Sequence, residues 1–392
     1  MKILFIGARL FDDVAAYATK KGVTSILTES DPSSPNIKLA DNYYHVSRGM
    51  EEPSNIALKE DVDAVVPLIG VDKPLVEIAQ MKDHLEKNYG IPVVASPLNA
   101  AKTSVNKSAT KKFFSDNNIE TPMFEELSIK DSLIKNNLDK MFDNLDFEFP
   151  FVLKPFEGQG GSGLKIIHSK NHFFKYFENN NTAIAEQFIE GIEISVEVLR
   201  WQEQAIPLVP VNKGKTTIEG LHPLDKIKKA PASIEGMDND LVCALALEVT
   251  NLLGAEGNTD VDMIFDPEKF NLYVIEMNTR PSGTRYITTA SCDINPMHEL
   301  VEMALGEWDK NIIKDRMKNY YAMEVPIKNY DKFNKISSDL IGNKDFSSGS
   351  SWILHGPPAF KRITIRDKNP KKAIETMKKL EEDFEKGIGM GS

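Results

Sequence analysis

The chain has 392 residues, more than one ordinary domain needs, so two or three units around a shared site are expected and a single small binding module is excluded. With 41% apolar and 27% charged residues, 23 Gly and 21 Pro, the composition is that of a folded globular protein, neither disordered throughout nor collagen-like. Lys plus Arg number 47 against 58 Asp plus Glu, and the resulting charge of −11 makes nucleic acid an unexpected partner while leaving room for a local basic pocket that takes a small phosphorylated ligand. The two cysteines, Cys243 and Cys292, lie in no C-x-x-C or His-flanked pattern, so neither a disulfide framework nor structural zinc is expected. The opening apolar run is too short for a signal peptide, and no window approaches about eighteen consecutive apolar residues. A cytoplasmic protein without a membrane span is the expectation.

In chain order, residues 2–6 read as a buried strand, Gly7-Ala8-Arg9 as a turn, and residues 11–21 as a helix with Phe11, Val14, Ala15 and Ala18 at helical spacing before Gly22. A second strand at 23–28 ends in Glu29. This is the outline of a mononucleotide fold, but the G-x-G-x-x-G fingerprint is absent, so dinucleotide binding is weakly supported. Strands at 64–68 and 92–95 flank a helical stretch at 74–88, which completes one doubly wound unit. A helix opens at Asn106 and ends before Pro122, followed by a polar helical stretch at 128–146 and a strand at 149–154. Strands at 183–188 and 193–199 bracket a turn at Gly191, residues 238–253 form a helix, and a hairpin over 260–278 turns at 266–271. The tail carries a strand at 362–366 and a charged helix at 371–386 whose charges suit a solvated face.

The hairpin carries the most informative chemistry. Side chains alternate along a strand, so Glu276 and Asn278 share one face of their strand and Asp260 and Asp262 share one face of the strand before it. If the turn is symmetric about Lys269, Asp262 lies opposite Glu276, at a Cβ separation of about 4.5–5.5 Å where two carboxylates repel. Something positive belongs between them, and two carboxylates with an amide oxygen suit a hard cation such as Mg²⁺. The neighbouring Met263, Phe265, Val274 and Ile275 give the ribbon a buried character in which unpaired charge is costly. A second signal is Lys154 at the end of an apolar strand, followed by Gly158, Gly160, Gly161, Ser162 and Gly163. Backbone N–H groups there can close on an anion, with the ammonium as a point charge, although the order is not that of a Walker loop. The stretch from Glu186 to Glu193 offers a strand end and a carboxylate for a purine and a ribose, and an ordinary exposed connection accounts for it equally well.

Together and in order, Asn106-Lys107-Ser, Lys154-Pro with Gly-Gly-Ser-Gly, Glu186-x-x-Ile-x-Gly-x-Glu193, and Asp262 with Val-Ile-Glu276-x-Asn278-x-Arg280-Pro-Ser-Gly-Thr resemble the ATP-grasp superfamily of ligases over residues 1 to about 305. The branch it is most similar to holds carbamoyl-phosphate-synthase-like enzymes and amino-acid ligases. The resemblance implies an α/β and α+β multidomain fold. A Rossmann-like unit would span 1–103, an ATP-grasp core of two α+β subdomains 104–310 with a nucleotide lid over roughly 120–186, and a small C-terminal α/β capping extension 311–392. It implies ATP as cosubstrate with two Mg²⁺ (or Mn²⁺) on Asp262, Glu276 and Asn278. Lys107 and Lys154 would hold phosphates, and Gly160, Gly161, Ser162 and Gly163 would form the phosphate loop. Glu186, Gln187, Phe188, Ile189, Ile264 and Ile275 would line the adenine pocket, with Glu193 on the ribose. Arg280 would face the transferred phosphoryl group.

The chemistry so implied is attack of a carboxylate on the γ-phosphoryl group, then displacement of phosphate by an amine. Such transfer needs positioning and charge neutralisation more than a covalent nucleophile, and no Ser–His or Cys–His pair is evident. On the acceptor side, Lys213 with Lys215 and His222 reads equally as a catalytic loop or an exposed basic turn, and Arg285 is a candidate for a substrate carboxylate. The partners expected are a small carboxylate and an amine, on an amino acid or short peptide precursor, possible homodimerisation being left open. Bicarbonate as the phosphorylated acid, and a nucleotide-binding regulator without turnover, are the alternatives.

Overall fold

Short apolar runs in the first seventy residues pair in parallel as β1 (Lys2–Ile6), β2 (Thr24–Glu29), β3 (Asn42–His45) and β4 (Ala64–Pro67), in the order β3-β2-β1-β4. The computed structural model describes residues 1–129, 134–158, 161–216, 226–327, 346, 351–356 and 361–385, with backbone alone for 134–137, 381 and 383–385. The strand expected at 92–95 is reduced to a single bridge between Val93 and Val65, because the chain turns sharply there, Ala95 N–H donating to Val93 O at 2.8 Å. The first helix is also shorter than its periodicity suggests. A 3₁₀ turn covers Ala8–Asp13, Val14 leaves helical geometry at φ −121°, and regular helix runs only over Ala15–Lys20.

The turn after β1 explains why no dinucleotide fingerprint is needed. Gly7 sits at φ +97°, and a Cβ there would lie 2.9 Å from the Ile69 side chain. The amides that would otherwise cradle a phosphate are satisfied by Glu29 at the end of β2: its Oε2 accepts from Ala8 N–H at 2.7 Å and its Oε1 from Ser30 and Asp31 N–H at 2.6 and 2.8 Å.

A second sheet follows, antiparallel, in the order β5-β8-β6-β7: β5 (Phe124–Ser128), β6 (Phe151–Lys154), β7 (Lys165–Ile167) and β8 (Thr182–Gln187). Its apolar face is filled by Phe151, Leu153, Phe173 and Phe177, with the helix Lys170–Phe177 laid over it. The remaining strands build one large sheet of nine strands among the described residues. They are β9 (Ile192–Trp201), β10 (Gln204–Pro207), β11 (Val211–Lys215), β12 (Lys228–Ala230), β13 (Gly257–Asp266), β14 (Asn271–Asn278), β15 (Tyr321–Pro326), β16 (Trp352–His355) and β17 (Arg362–Asp367). The order is β14-β13-β9-β11-β12-β15-β17-β16, with β10 also on β9. The tail strands thus continue the sheet that begins with the hairpin. The helix Asn239–Leu253 behind it starts as expected, Asp238 accepting from Asp240 N–H at 2.9 Å, and stops at Gly254 with φ +66°.

One apolar core joins the first and third sheets. Phe5, Phe11 and Val66 meet Leu199 and Val211 across Leu300 and Val301 of the helix Pro296–Leu305. Each such side chain contributes about 1.5–3 kcal/mol when fully buried. This packing fixes the loops that follow β1 and β4 against residues 279–286, where the candidate site lies. No helix among the described residues is long and apolar enough to cross a membrane.

Candidate active site

The hairpin places Asp262 opposite Glu276 and Asp260 opposite Asn278. The register, however, is not uniform. Met263 pairs Val274, so Ile275 is an extra residue opposite Asp262, a bulge in β14. The bulge turns Glu276 off the core face that alternation from Val274 would assign it: Val274 is fully buried, while Ile275 and Glu276 are both half-buried on the side of Asp262. The charge expected between the two acids is supplied by lysines. Lys213 Nζ lies 2.6 Å from Asp262 Oδ1, and Lys107 Nζ lies 3.7 Å from Glu276 Oε2. Lys213 is on strand β11 with its side chain 15% exposed, so it is no surface turn. Burial, with Asp260 and Glu276 nearby, pushes the Asp262 carboxyl up even against Lys213. Burial alone would raise Glu276 as well, but Lys107, Lys154, Lys213 and Arg280 hold it below the usual carboxylate range. Four cations therefore converge on one carboxylate.

Lys107 opens the helix Lys107–Asp116, capped by Asn106, whose Oδ1 accepts from Ala109 N–H at 2.9 Å. Its backbone N–H donates to Phe156 O at 2.8 Å and its ammonium donates to Gly158 O, which binds the glycine-rich loop to the hairpin's acid face. One turn along, Lys111 points to the same side, as spacing of four residues requires. It was not foreseen as a site residue. Its ammonium is 2.5 Å from Glu186 Oε2 and donates to Thr121 Oγ1 at 2.6 Å, while Lys154 Nζ reaches the same Glu186 oxygen at 2.7 Å. Glu186 is therefore not an open adenine contact: its side chain is 6% exposed and committed to two lysines. Burial lowers Lys111 to about 8, and against its own burial Glu186 is held low by Lys111 and Lys154.

The other sequence candidates lie around this centre. Glu193 pairs Lys226 at 2.6 Å. Ile189 is buried, and Gln187, Phe188, Ile264 and Ile275 are half-buried, an apolar margin at the end of β8 and on the Asp262 face. Gly191 between β8 and β9 packs so closely on β13 that a Cβ would stand 2.3 Å from Phe265 O. Gly161, Ser162 and Gly163 form an exposed turn, and Gly160 and His222 fall outside the described residues. Arg280 Nε donates to Asp72 Oδ1 at 2.5 Å and its Nη2 to Asn278 Oδ1 at 3.2 Å. Arg285 is turned away, toward the N-terminal unit: its Nε donates to Asp13 Oδ2 at 2.8 Å, and Tyr286 Oη donates to Asp13 Oδ1 at 2.7 Å. Its link to the centre is through Ser282 O, at 3.1 Å.

Behind Asp262, Ser195 and Ser282 both donate to Asp260, the latter at 2.6 Å, so that carboxylate braces the loop after Arg280. Next along β9, Glu197 is fully buried, with Asn258 Nδ2 donating to its Oε1 at 3.0 Å. Burial and the neighbouring Asp260 push Glu197 up to about 7 from 4.5. A raised carboxyl pKa means the folded state binds the proton more tightly than the unfolded chain, so stability is fullest at low pH and falls as pH rises from 4.5 through 7. Glu197→Gln removes that ionisation, and its unfolding midpoint should gain on the wild type across this interval, read by thermal melts at several pH values. Parallel curves for the two proteins would contradict the assignment.

Among the described residues no group of three or more His, Cys, Asp and Glu side chains stands ready for a metal ion. The donor set that fits Mg²⁺ is Asp262, Glu276 and the Asn278 amide, all oxygen, all on one face. Each is now met by a cation of the protein, and that fits the pair of ligands: a divalent ion can take the carboxylates while phosphates take the lysines.

An ATP-grasp domain model matches residues 104–284. The chain is 44% identical over 366 residues to the carbamoyl-phosphate synthase of Methanobrevibacter smithii, covering 93% of this chain and 96% of that relative. Its fold is similar to the biotin carboxylase domain of Hydrogenobacter thermophilus 2-oxoglutarate carboxylase, solved as a dimer with MgADP and bicarbonate, with TM-score 0.75, 18% identity and 96% and 88% of the two chains covered. It is also similar to an L-amino acid ligase from Bacillus licheniformis, with TM-score 0.74, 16% identity and 97% of each chain covered. With these relatives and this arrangement of lysines, carboxylates and arginine, the chain belongs to the ATP-grasp family and is an ADP-forming carbon–nitrogen ligase.

Proposed function

We propose that the chain activates a small carboxylate with ATP and joins it to an amine, with an amino acid or short peptide precursor as the substrate class. The observation that carries this reading is the convergence of Lys107, Lys154, Lys213 and Arg280 on the Asp262–Glu276 pair. A substrate carboxylate oxygen attacks the γ-phosphorus as the bond to ADP breaks, and the amine nitrogen then attacks the acyl carbon, releasing phosphate and a proton. Bound Mg²⁺, two ions in this reading, would neutralise phosphate charge and be held by Asp262, Glu276 and Asn278. Lys107 and Lys154 would bind phosphates, Arg280 the migrating phosphoryl group, and Lys213 the reacting carboxylate. Gly161, Ser162 and Gly163 would cover the phosphates and keep water from the acyl phosphate. Glu193 would meet the ribose, with Gln187, Phe188, Ile189, Ile264 and Ile275 around the purine. The reading keeps units at 1–103, 104–310 and 311–392, and a homodimer, as in the solved Hydrogenobacter domain.

A second reading, bicarbonate as the phosphorylated acid, is favoured by the name of the 44% identical relative and by the bicarbonate in the Hydrogenobacter structure. One assay separates the two. ADP release is followed with Mg²⁺ and ATP over pooled amino acids, dicarboxylates and bicarbonate, with mass spectrometry on each active pool. Release that needs both an acid and an amine, with a product lighter than their sum by one water, is the expected result. Release with bicarbonate alone supports the second reading, and release indifferent to any acid overturns both.

A further inference from the structure

Arg280 belongs to the centre, and its orientation is set from outside the grasp core. Asp72 follows β4 in the N-terminal unit, 208 positions away in sequence, and accepts from Arg280 Nε at 2.5 Å. Both side chains are largely enclosed, 17% and 14% exposed. A guanidinium is a planar fork, so a carboxylate on Nε fixes the plane while leaving the terminal nitrogens on the far edge. One of these, Nη2, touches Asn278 Oδ1 at 3.2 Å, an oxygen that belongs to the proposed cation set. The contact to Asn278 is long and replaceable; that to Asp72 is short and charged. A cation drawing on the Asn278 oxygen would displace Nη2 and leave Nε where it is.

We propose that Asp72 is a positioning residue for Arg280: it anchors Nε from the N-terminal unit so that the terminal nitrogens are presented to the γ-phosphoryl group when nucleotide is bound. The proposal rests on the reading of Arg280 given above. It also gives the N-terminal unit a part in phosphoryl transfer, since the core around Leu300 and Val301 packs against Val66 and Leu68, just before the loop that carries Asp72.

The test needs no knowledge of the acid substrate. Affinities for MgADP and for a non-hydrolysable MgATP analogue are measured by calorimetry in wild type, Asp72→Asn, Asp72→Glu, Arg280→Lys and the Asp72→Asn/Arg280→Lys double variant. The expected result is that Asp72→Asn lowers the analogue-to-ADP affinity ratio on the order of 10–100-fold, as loss of an orienting partner does. ADP affinity and the thermal midpoint stay near wild type, Asp72→Glu recovers part of the loss, and Asp72→Asn adds nothing in the Arg280→Lys background. An unmoved ratio in Asp72→Asn, an additive loss in the double variant, or an equal fall in ADP affinity overturns the proposal. If Arg280→Lys itself leaves the ratio unmoved, the role given to Arg280 fails and Asp72 falls with it. If neither nucleotide binds the wild type, it is the ligase reading that fails.

Discussion

In Glu276→Gln, Mg²⁺-dependent ADP release should fall by about 10²–10³-fold, the cost typical of removing one element that stabilises charge in a transition state. The substitution keeps the shape of the side chain, which is 32% exposed at the edge of β14, so the thermal midpoint should stay close to wild type. What changes is the charge balance. Lys107, Lys154, Lys213 and Arg280 remain around the position, and the carboxylate they hold low is gone. ATP binding measured in EDTA should therefore be no weaker than in the wild type, and tighter if the lysines are released to the phosphates. Loss of turnover with retained Mg²⁺-free nucleotide binding is the combined outcome expected from calorimetry and an ADP-release assay. Full Mg²⁺-dependent turnover in this variant would contradict the assignment of Glu276 to the cation.

The largest effect on stability is expected from Glu186→Ala. It removes the one carboxylate shared by Lys111 and Lys154, whose side chains are 1% and 5% exposed. Breaking a buried pair by deleting one partner costs about 3–5 kcal/mol, because the remaining charge is left without compensation. Here two ammonium groups are left facing each other. Lys111 is already lowered to about 8 by burial, with Glu186 opposing that shift, so deleting Glu186 lowers it further. A depressed lysine means the folded state binds fewer protons than the unfolded chain, so the variant's stability should rise with pH. Its deficit relative to wild type, read from denaturant midpoints, should thus shrink between pH 7 and 9. Adding Lys111→Met to Glu186→Ala should recover part of the loss by removing one buried charge. A deficit below about 1 kcal/mol, the ordinary value of an exposed pair, would show that the cluster is open to solvent.

How much of this was legible in the chain depends on how far each partner lies from its own. The Asp262–Glu276 pairing follows from strand alternation and a short turn, and both are local. The bulge at Ile275 is not, since an added residue changes nothing in composition and shows only when each strand is counted against the other. Lys111 had a signal, four residues from Lys107 on one helix face, but its partner on β8 is supplied by packing. Asp72, Asp13 and Lys226 had none, because each meets a site residue only once separate elements are assembled. In the N-terminal unit the buried runs of β1, β2 and β4 were plain. Strand β3 and the helix Glu51–Lys59 were not, being largely polar and only partly covered.

Glu29 has a consequence of its own. With its carboxylate seated on the amides after β1 and β2, the chain fills that anion position itself. The N-terminal unit serves the site instead as a wall and as the carrier of Asp13 and Asp72, which hold Arg285 and Arg280.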